Sequence, residues 1–314
     1  MELIAEGRTF FLAWEVGLMQ WLQSHVPAAG LSAISAISMF GEELVLIVIL
    51  GLIYWGWDKR FGKRLGITVL MGLVWNTMIK NVVLRRRPYF DHEEIKILRP
   101  VEPEADIYDI SAQGYSFPSG HSTNAAGVYG GIAAGARRRW VTVCALVLIL
   151  LVGFSRVVVG AHYPTDVIGG WALGAAVVLL TGWLQERIRS TVILYAVLLA
   201  TAVPGIFYCR SADYFTGLGL LIGFMGGALL EDRYVRFENT KSPLRMILRL
   251  AGGIAIYMVL NKVLKLPFSE AFLASGTMPA LLVRCARYMI IAFVDFGVYP
   301  LAFRGTDAGK AQKG

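Results

Sequence analysis

Charge is scarce in this chain. Asp, Glu, Lys and Arg make up 17% of its 314 residues while 56% are hydrophobic, against about a quarter charged in a soluble domain. That shortage excludes an ordinary water-soluble domain and indicates a chain solvated by lipid. Cysteine is scarcer still. Cys144, Cys209 and Cys285 lie far apart, in or beside apolar stretches, which excludes a disulfide framework and a paired-cysteine zinc site; they read as small packing residues. The N-terminus has neither the basic start nor the small-residue cleavage pattern of a secretory signal, so it is expected to be retained.

The apolar residues come in blocks. Read as helices, the blocks at 43–57, 65–84, 119–135, 140–158, 164–184, 191–208, 213–230, 246–263 and 279–298 predict an all-α polytopic bundle of about nine spans. Thr9 to Gln23 is also apolar but contains Glu15, Gln20 and Gln23, and reads as an interfacial helix rather than a further span. The formal charge of +8 is carried largely by short loops: Lys59, Arg60, Lys63 and Arg64; Arg137 to Arg139; Arg187 and Arg189; Arg233, Arg236, Lys241 and Arg245. With nine spans these loops share one side, which the positive-inside rule makes cytoplasmic. The C-terminus with Lys310 and Lys313 is then inside, and the loops at 85–118 and 159–163 are outside. The basic balance is topology, and no nucleic-acid partner is expected.

Ionisable groups at span boundaries mark functional sites, and three clusters stand out. Lys80 precedes Arg85-Arg86-Arg87-Pro88; seven residues separate Lys80 from Arg87, about two helical turns, which places both cations on one face if the helix continues. Arginines on the outer side break the positive-inside trend, and an anionic ligand accounts for the exception. Arg85 and Arg86, taken singly, read as contacts to lipid headgroups. In Phe117-Pro118-Ser119-Gly120-His121-Ser122, Pro, Ser and Gly before an apolar run read as a helix entrance whose amides suit an anion, with His121 placed to give a proton. In Ser155-Arg156, Gly160, His162, Pro164 and Asp166, Asp166 falls in the first turn of a new helix. There it accepts a hydrogen bond from one nitrogen of His162 and leaves the other free to attack.

These three motifs resemble, in order and spacing, the signature of the type 2 phosphatidic acid phosphatase superfamily. That superfamily also holds the vanadium haloperoxidases, glucose-6-phosphatase and the sphingosine-1-phosphate phosphatases. The resemblance covers roughly residues 43–185 and implies a helical catalytic core. It implies a nucleophilic role for His162, a relay role for Asp166 and a general-acid role for His121. It implies phosphate contacts from Lys80, Arg87, Ser119, Gly120 and Arg156, with no metal and no cofactor. Nine spans with the C-terminus inside are similar in layout to glucose-6-phosphatase and the sphingosine-phosphate enzymes. The expected divisions are an extracytoplasmic segment with an interfacial helix (1–42), the catalytic membrane core (43–185), a C-terminal transmembrane extension (191–304) and a polar tail (305–314).

The reaction expected is metal-independent hydrolysis of a lipid phosphomonoester or lipid pyrophosphate through a phosphohistidine, at the outer face of the inner (cytoplasmic) membrane. A lipid or phosphate-compound transporter using the same cations is the alternative from another class; a soluble sugar phosphatase and vanadate-dependent halide oxidation are minor ones. Arg284, Arg287 and Asp295 in the last apolar block read as an internal ion-pair set. The carboxylates between Asp91 and Asp109 read as a solvated loop, and Glu42 and Glu43 carry no assigned role.

Overall fold

The structure is a computed structural model that describes residues 7–303. The polar tail expected at 305–314, with Lys310 and Lys313, lies outside the described residues. Within them the secondary structure is helical, apart from a backbone bridge between Arg8 and Arg85. The helices are α1 (Ala13–His25), α2 (Ala28–Ser38), α3 (Glu43–Gly51), α4 (Lys59–Val83), α5 (Pro88–Asp91), α6 (Ile110–Gln113), α7 (Gly120–Ala136) and α8 (Arg139–Val158). They continue as α9 (Pro164–Arg187), α10 (Thr191–Ala202), α11 (Ala212–Leu230), α12 (Pro243–Val263), α13 (Glu270–Ala274) and α14 (Met278–Phe293).

Nine spans are not what these helices make. Among the described residues five are long and apolar enough to cross a membrane: Lys59–Val83, Arg139–Val158, Pro164–Arg187, Ala212–Val235 and Pro243–Val263. A sixth exists if Gly30–Gly41 and Glu43–Trp57, bent by 51°, count as one. Apolar composition alone overcounts, because a span also needs unbroken length: hydrocarbon is about 30 Å thick and a helix rises about 1.5 Å per residue. The 119–135 block forms α7, 17 residues or about 26 Å, rich in Gly, Ala, Ser and Thr. The 191–208 block breaks at Val203, ahead of Pro204, into a tighter 3-10 turn. In the 279–298 block α14 has 16 residues before its winding widens at Val294. The likeness in layout to glucose-6-phosphatase and the sphingosine-phosphate enzymes rested on the nine-span count and loses that support. A multi-pass membrane protein remains.

The chain divides into two compact units. One joins the chain up to Leu46 with Trp75–Leu180 and contains every site candidate named above. Its core packs Val16, Met19 and Leu22 of α1 against Val157, Val158, Tyr163 and Val167 around the α8–α9 turn. Burial of one face of α1 in this way gives it tertiary support that its 13 residues lack alone. Gln23 completes the docking: its Nε2 donates to the carbonyls of Lys96 at 2.8 Å and Val158 at 3.0 Å. The opposite face, with Trp14, Leu18 and Trp21, is exposed.

Two glycines set the backbone around the site. Gly160, in the α8–α9 turn, has φ +76°, and a Cβ there would lie 2.3 Å from the Lys96 carbonyl oxygen; the left-handed region and the close approach both require glycine. Gly170 on α9 lies where a Cβ would meet the Ser119 carbonyl oxygen at 2.6 Å and Ser122 Cβ at 2.7 Å. It lets α9 press against the entrance of α7.

The other unit joins Ile47–Val74 with the chain from Thr181 onward. Its aromatic core holds Tyr54, Trp55, Val235, Phe237 and Phe303, and the buried Glu231 is paired with Lys59 and Lys63. Gly219 and Gly223 of α11 approach the carbonyls of Cys285 and Met289 on α14, close packing of the small-residue kind seen between membrane helices. Among the described residues Arg284, Arg287 and Asp295 do not pair with one another. Arg284 donates to Thr216 Oγ1 at 2.8 Å, Arg287 to Asn261 Oδ1 at 2.9 Å, and Asp295 Oδ1 has no hydrogen-bond partner.

Gly170→Ala should lower stability by about 1–3 kcal/mol through overpacking. Gly127→Ala, in α7 with open space around its Cβ position, should be neutral or stabilising by up to about 1 kcal/mol. Thermal unfolding of the two variants in detergent separates the outcomes.

Candidate active site

Three turns bring the candidates together. The first leaves α4. Lys80 is in its last turn, but the helix stops at Val83 because Leu84 turns to φ +57°. Arg87 therefore does not continue the face of Lys80; it is the residue before α5, with Pro88 in the first turn. Its backbone position lets the guanidinium reach inward. Arg87 Nε donates to the carbonyls of Gln113 and Gly114 at 2.9 Å, and Nη1 to the carbonyl of Ala161 at 2.9 Å.

The second turn is the entrance of α7. Ser119 is its N-cap and accepts from the Ser122 amide at 3.4 Å. Gly120 and His121 follow as the first helical residues, where backbone amides point out of the helix end and favour an anion. Ser119 also donates its amide to the Asp166 carbonyl at 2.9 Å, tying this entrance to α9. Asn76 of α4 donates to the Pro118 carbonyl at 3.2 Å and to Thr123 Oγ1 at 2.9 Å. Gly41, beside the bend before α3, lies against His121: a Cβ there would be 3.0 Å from His121 Cβ.

The third turn runs from Arg156 in the last turn of α8 to Asp166 in the first turn of α9. Arg156 is 1% exposed; its Nη1 donates to Ser38 Oγ on α2, and among the described residues its Nε has no partner. His162 is buried, with Nε2 3.3 Å from Arg87 Nη1. A guanidinium can only donate, so Nε2 accepts and, in the neutral ring, Nδ1 carries the proton. Nδ1 lies 3.3 Å from Ser116 Oγ, and Ser116 donates to Asp166 Oδ2.

The direct His162–Asp166 hydrogen bond expected from the sequence is absent. Nδ1 and Oδ2 are 3.7 Å apart, and the Ser116 hydroxyl bridges them. Oδ2 is already engaged by Ser116 and by the Tyr163 amide at 2.8 Å, and Oδ1 by Arg85 at 2.7 Å. Lys80 acts on the electrostatics of both His121 and His162, as do Arg87 and Arg156.

Sequence reasoning missed Ser116, Ser38, Glu15 and the place of Arg85. Arg85 is no headgroup contact, being 2% exposed and ion-paired with Glu15 and Asp166. One signal was available: Glu15 is the sole carboxylate in the apolar stretch from Thr9 to Gln23, and a carboxylate facing lipid is costly unless partnered. Glu42, left without a role, pairs with Arg99. Among the described residues no group of three or more His, Cys, Asp or Glu side chains is arranged to hold a metal ion.

Two family models match the chain: the PAP2 superfamily over residues 61–190, and the transmembrane extension of PAP2 superfamily phosphatases over residues 215–312. Phosphatidylglycerophosphatase B of Bacillus subtilis is 33% identical over 156 residues, 46% of this chain and 69% of the relative. The chain belongs to the PAP2 superfamily. As a PAP2-type phosphatase it is also similar to the undecaprenyl-diphosphatase of Sulfolobus acidocaldarius, 28% identical over 49% of this chain and 68% of that protein. The decaprenylphosphoryl-5-phosphoribose phosphatase of Mycobacterium tuberculosis is 32% identical over 56% of this chain and 95% of its own length.

Burial, and after it the charges of Arg87, Lys80 and Arg156, hold the His162 imidazole well below its ordinary range. The ring should therefore stay neutral as pH falls through about 6.5. Below the ordinary value the unfolded chain takes up a proton that the folded chain refuses, so stability falls with pH there. Arg87→Gln removes the largest of the three repulsions and should move the His162 midpoint upward. Imidazole ¹⁵N shifts across a pH series check both.

Proposed function

We propose that this PAP2-type phosphatase hydrolyses a lipid phosphomonoester or lipid pyrophosphate through a phosphohistidine on His162, without a metal. The observation that carries the reading is the state of His162: Nδ1 is committed to the Ser116–Asp166 relay, while the Nε2 lone pair faces Arg87. A neutral nucleophile directed at a guanidinium suits a bound phosphoryl group.

Arg87, Arg156 and Lys80, with the first amides of α7 and Ser119 and Gly120 around them, receive the nonbridging oxygens. They stabilise the charge spread in the transition state. The Arg156 Nε donor has no partner among the described residues and is assigned to one of those oxygens. His162 Nε2 forms the N–P bond as the P–O bond to the leaving group breaks, and His121 gives that oxygen its proton. Positive charge on the imidazolium is balanced by Asp166 through Ser116. Water then attacks phosphorus, His121 takes its proton, the N–P bond breaks, and inorganic phosphate leaves. The three cations supply the field that a metal supplies elsewhere.

Lipid is favoured as the substrate's carrier because the relatives above are named for lipid-linked phosphates and the site adjoins membrane-spanning helices. An outer-facing site in the inner (cytoplasmic) membrane is supported without any count of spans. α7 runs from His121 to the basic Arg137–Arg139 turn, and α8 runs back from Arg139 to Arg156. The histidines thus lie at the ends opposite the basic turn, which the positive-inside rule assigns to the cytoplasm.

The test is inorganic phosphate release by purified protein in EDTA, across phosphatidylglycerol phosphate, phosphatidic acid, a polyprenyl diphosphate, sphingosine phosphate and glucose 6-phosphate. Turnover of a lipid that persists in EDTA and is lost in His162→Ala is the expected result. Turnover of glucose 6-phosphate alone, or activity retained by His162→Ala, overturns the reading.

A further inference from the structure

A second buried arginine stands two residues before Arg87, and the mechanism above does not use it. Every nitrogen of the Arg85 side chain is engaged. Nη1 donates to Asp166 Oδ1 and to Thr165 Oγ1, both at 2.7 Å; Nη2 donates to Glu15 Oε2 at 2.9 Å; Nε donates to the Phe10 carbonyl at 2.9 Å. The Tyr163 and Phe10 rings cover the guanidinium at 4.0 and 4.7 Å. Its backbone is clamped as well: Arg8 donates to the Leu84 carbonyl, Arg86 to the Arg8 carbonyl, and Ser116 to the Arg85 carbonyl.

Glu15 is fully buried and serves Arg85 from α1. Besides Arg85 its oxygens accept from the Leu12 amide at 2.8 Å, the Thr165 amide at 3.0 Å and Thr165 Oγ1 at 2.6 Å. So many donors hold it in one rotamer.

We propose that Arg85 is a positioning residue for Asp166, and that Glu15 of the N-terminal helix sets Arg85 in the geometry this requires. The inference rests on the His162 mechanism above and extends it to α1. Its physical basis is a competition for one oxygen. An arginine beside a single carboxylate prefers a two-point fork, one nitrogen on each oxygen. That fork would take Asp166 Oδ2 from Ser116 and break the link to His162. Glu15 draws Nη2 away, so Arg85 holds Asp166 by Oδ1 alone and locks the rotation of the carboxylate. Oδ2 then remains with Ser116, and the His162 ring stays aligned. Removal of the carboxylate charge in Glu15→Gln weakens that pull and releases Nη2 toward Oδ2.

The experiment measures kcat and KM for inorganic phosphate release from phosphatidylglycerol phosphate, phosphatidic acid and a polyprenyl diphosphate in detergent. It uses the full chain and Glu15→Gln, Arg85→Gln, Arg85→Lys, the Glu15→Gln/Arg85→Gln double variant and His162→Ala. Displacement of a reacting group by a fraction of an ångström to an ångström costs up to about a hundredfold in rate. We expect kcat to fall by roughly tenfold in Glu15→Gln and roughly a hundredfold in Arg85→Gln, with KM within about twofold of wild type. The double variant should be no slower than Arg85→Gln, because the pull that keeps Oδ2 of Asp166 free for Ser116 is exerted through Arg85. Lysine keeps the charge but not the planar fork, so Arg85→Lys should fall with Arg85→Gln. Wild-type kcat in Glu15→Gln or Arg85→Lys, losses expressed in KM, or losses that multiply in the double variant overturn the inference. If Arg85→Gln does not fold, Glu15→Gln and Arg85→Lys decide it by the same criteria. Activity in His162→Ala defeats the mechanism itself; an inactive His162→Ala beside wild-type rates in Glu15→Gln and Arg85→Lys defeats only the Arg85 inference.

Discussion

Asp166 is a carboxylate with no exposed surface, and the arrangement around it follows from the need to keep that charge satisfied. An isolated carboxylate in a low-dielectric interior is prohibitively costly. Here its oxygens receive Arg85, Ser116 and the Tyr163 amide. Each donor comes from a different stretch of chain: the segment after α4, the approach to α7, and the α8–α9 turn. One charge therefore fixes three turns relative to one another, and those turns carry Arg87, His121 and His162. Loss of a donor would cost more than a single hydrogen bond, because the remaining groups would be left buried without compensation.

The same need reaches the N-terminus. Arg85 balances Asp166, but its second nitrogen then requires an acceptor, which Glu15 supplies. Glu15 in turn recruits α1, whose inner face joins the core around the α8–α9 turn while its aromatic outer face stays exposed. Local propensity explains little of this helix. Its register turns Glu15 toward Arg85 and Val16, Met19 and Leu22 into the core.

The placement of these residues was legible in the sequence because it depends on residue types at fixed spacings within single turns: Ser119-Gly120-His121 at a helix entrance, and Asp166 in a helix's first turn four residues after His162. The span count was not legible, because hydropathy registers apolar residues and not helix continuity. Pro204 and the wider winding from Val294 interrupt blocks that composition reads as whole. Lys80 and Arg87 did not share a helix face because Leu84 adopts a left-handed conformation, which nothing in its side chain announces. Ser116 stayed hidden for another reason. A serine among aromatics is an unremarkable residue until three-dimensional packing sets it between an imidazole and a carboxylate. Arg85 and Arg86 are adjacent, identical and opposite in fate, since Arg86 keeps substantial exposure and pairs with Asp91.

The contrast between Arg85 and Arg87 shows how one basic run divides its labour. Arg85 is held by carboxylates, which cancel its charge and make it a fixed strut. Arg87 is oriented by the carbonyls of Gln113, Gly114 and Ala161, and Arg156 by the hydroxyl of Ser38. Neutral oxygens aim a guanidinium without neutralising it. Both cations are nonetheless buried, at 3% and 1% exposure, so the fold carries a desolvation cost that neutral partners repay only in part. In the proposed mechanism an anion completes the compensation, and a phosphoryl group does so best when its charge is most spread over the nonbridging oxygens. In the proposed reaction that is the condition of the transition state rather than of the bound substrate, so cations aimed by neutral oxygens favour reaction over binding alone.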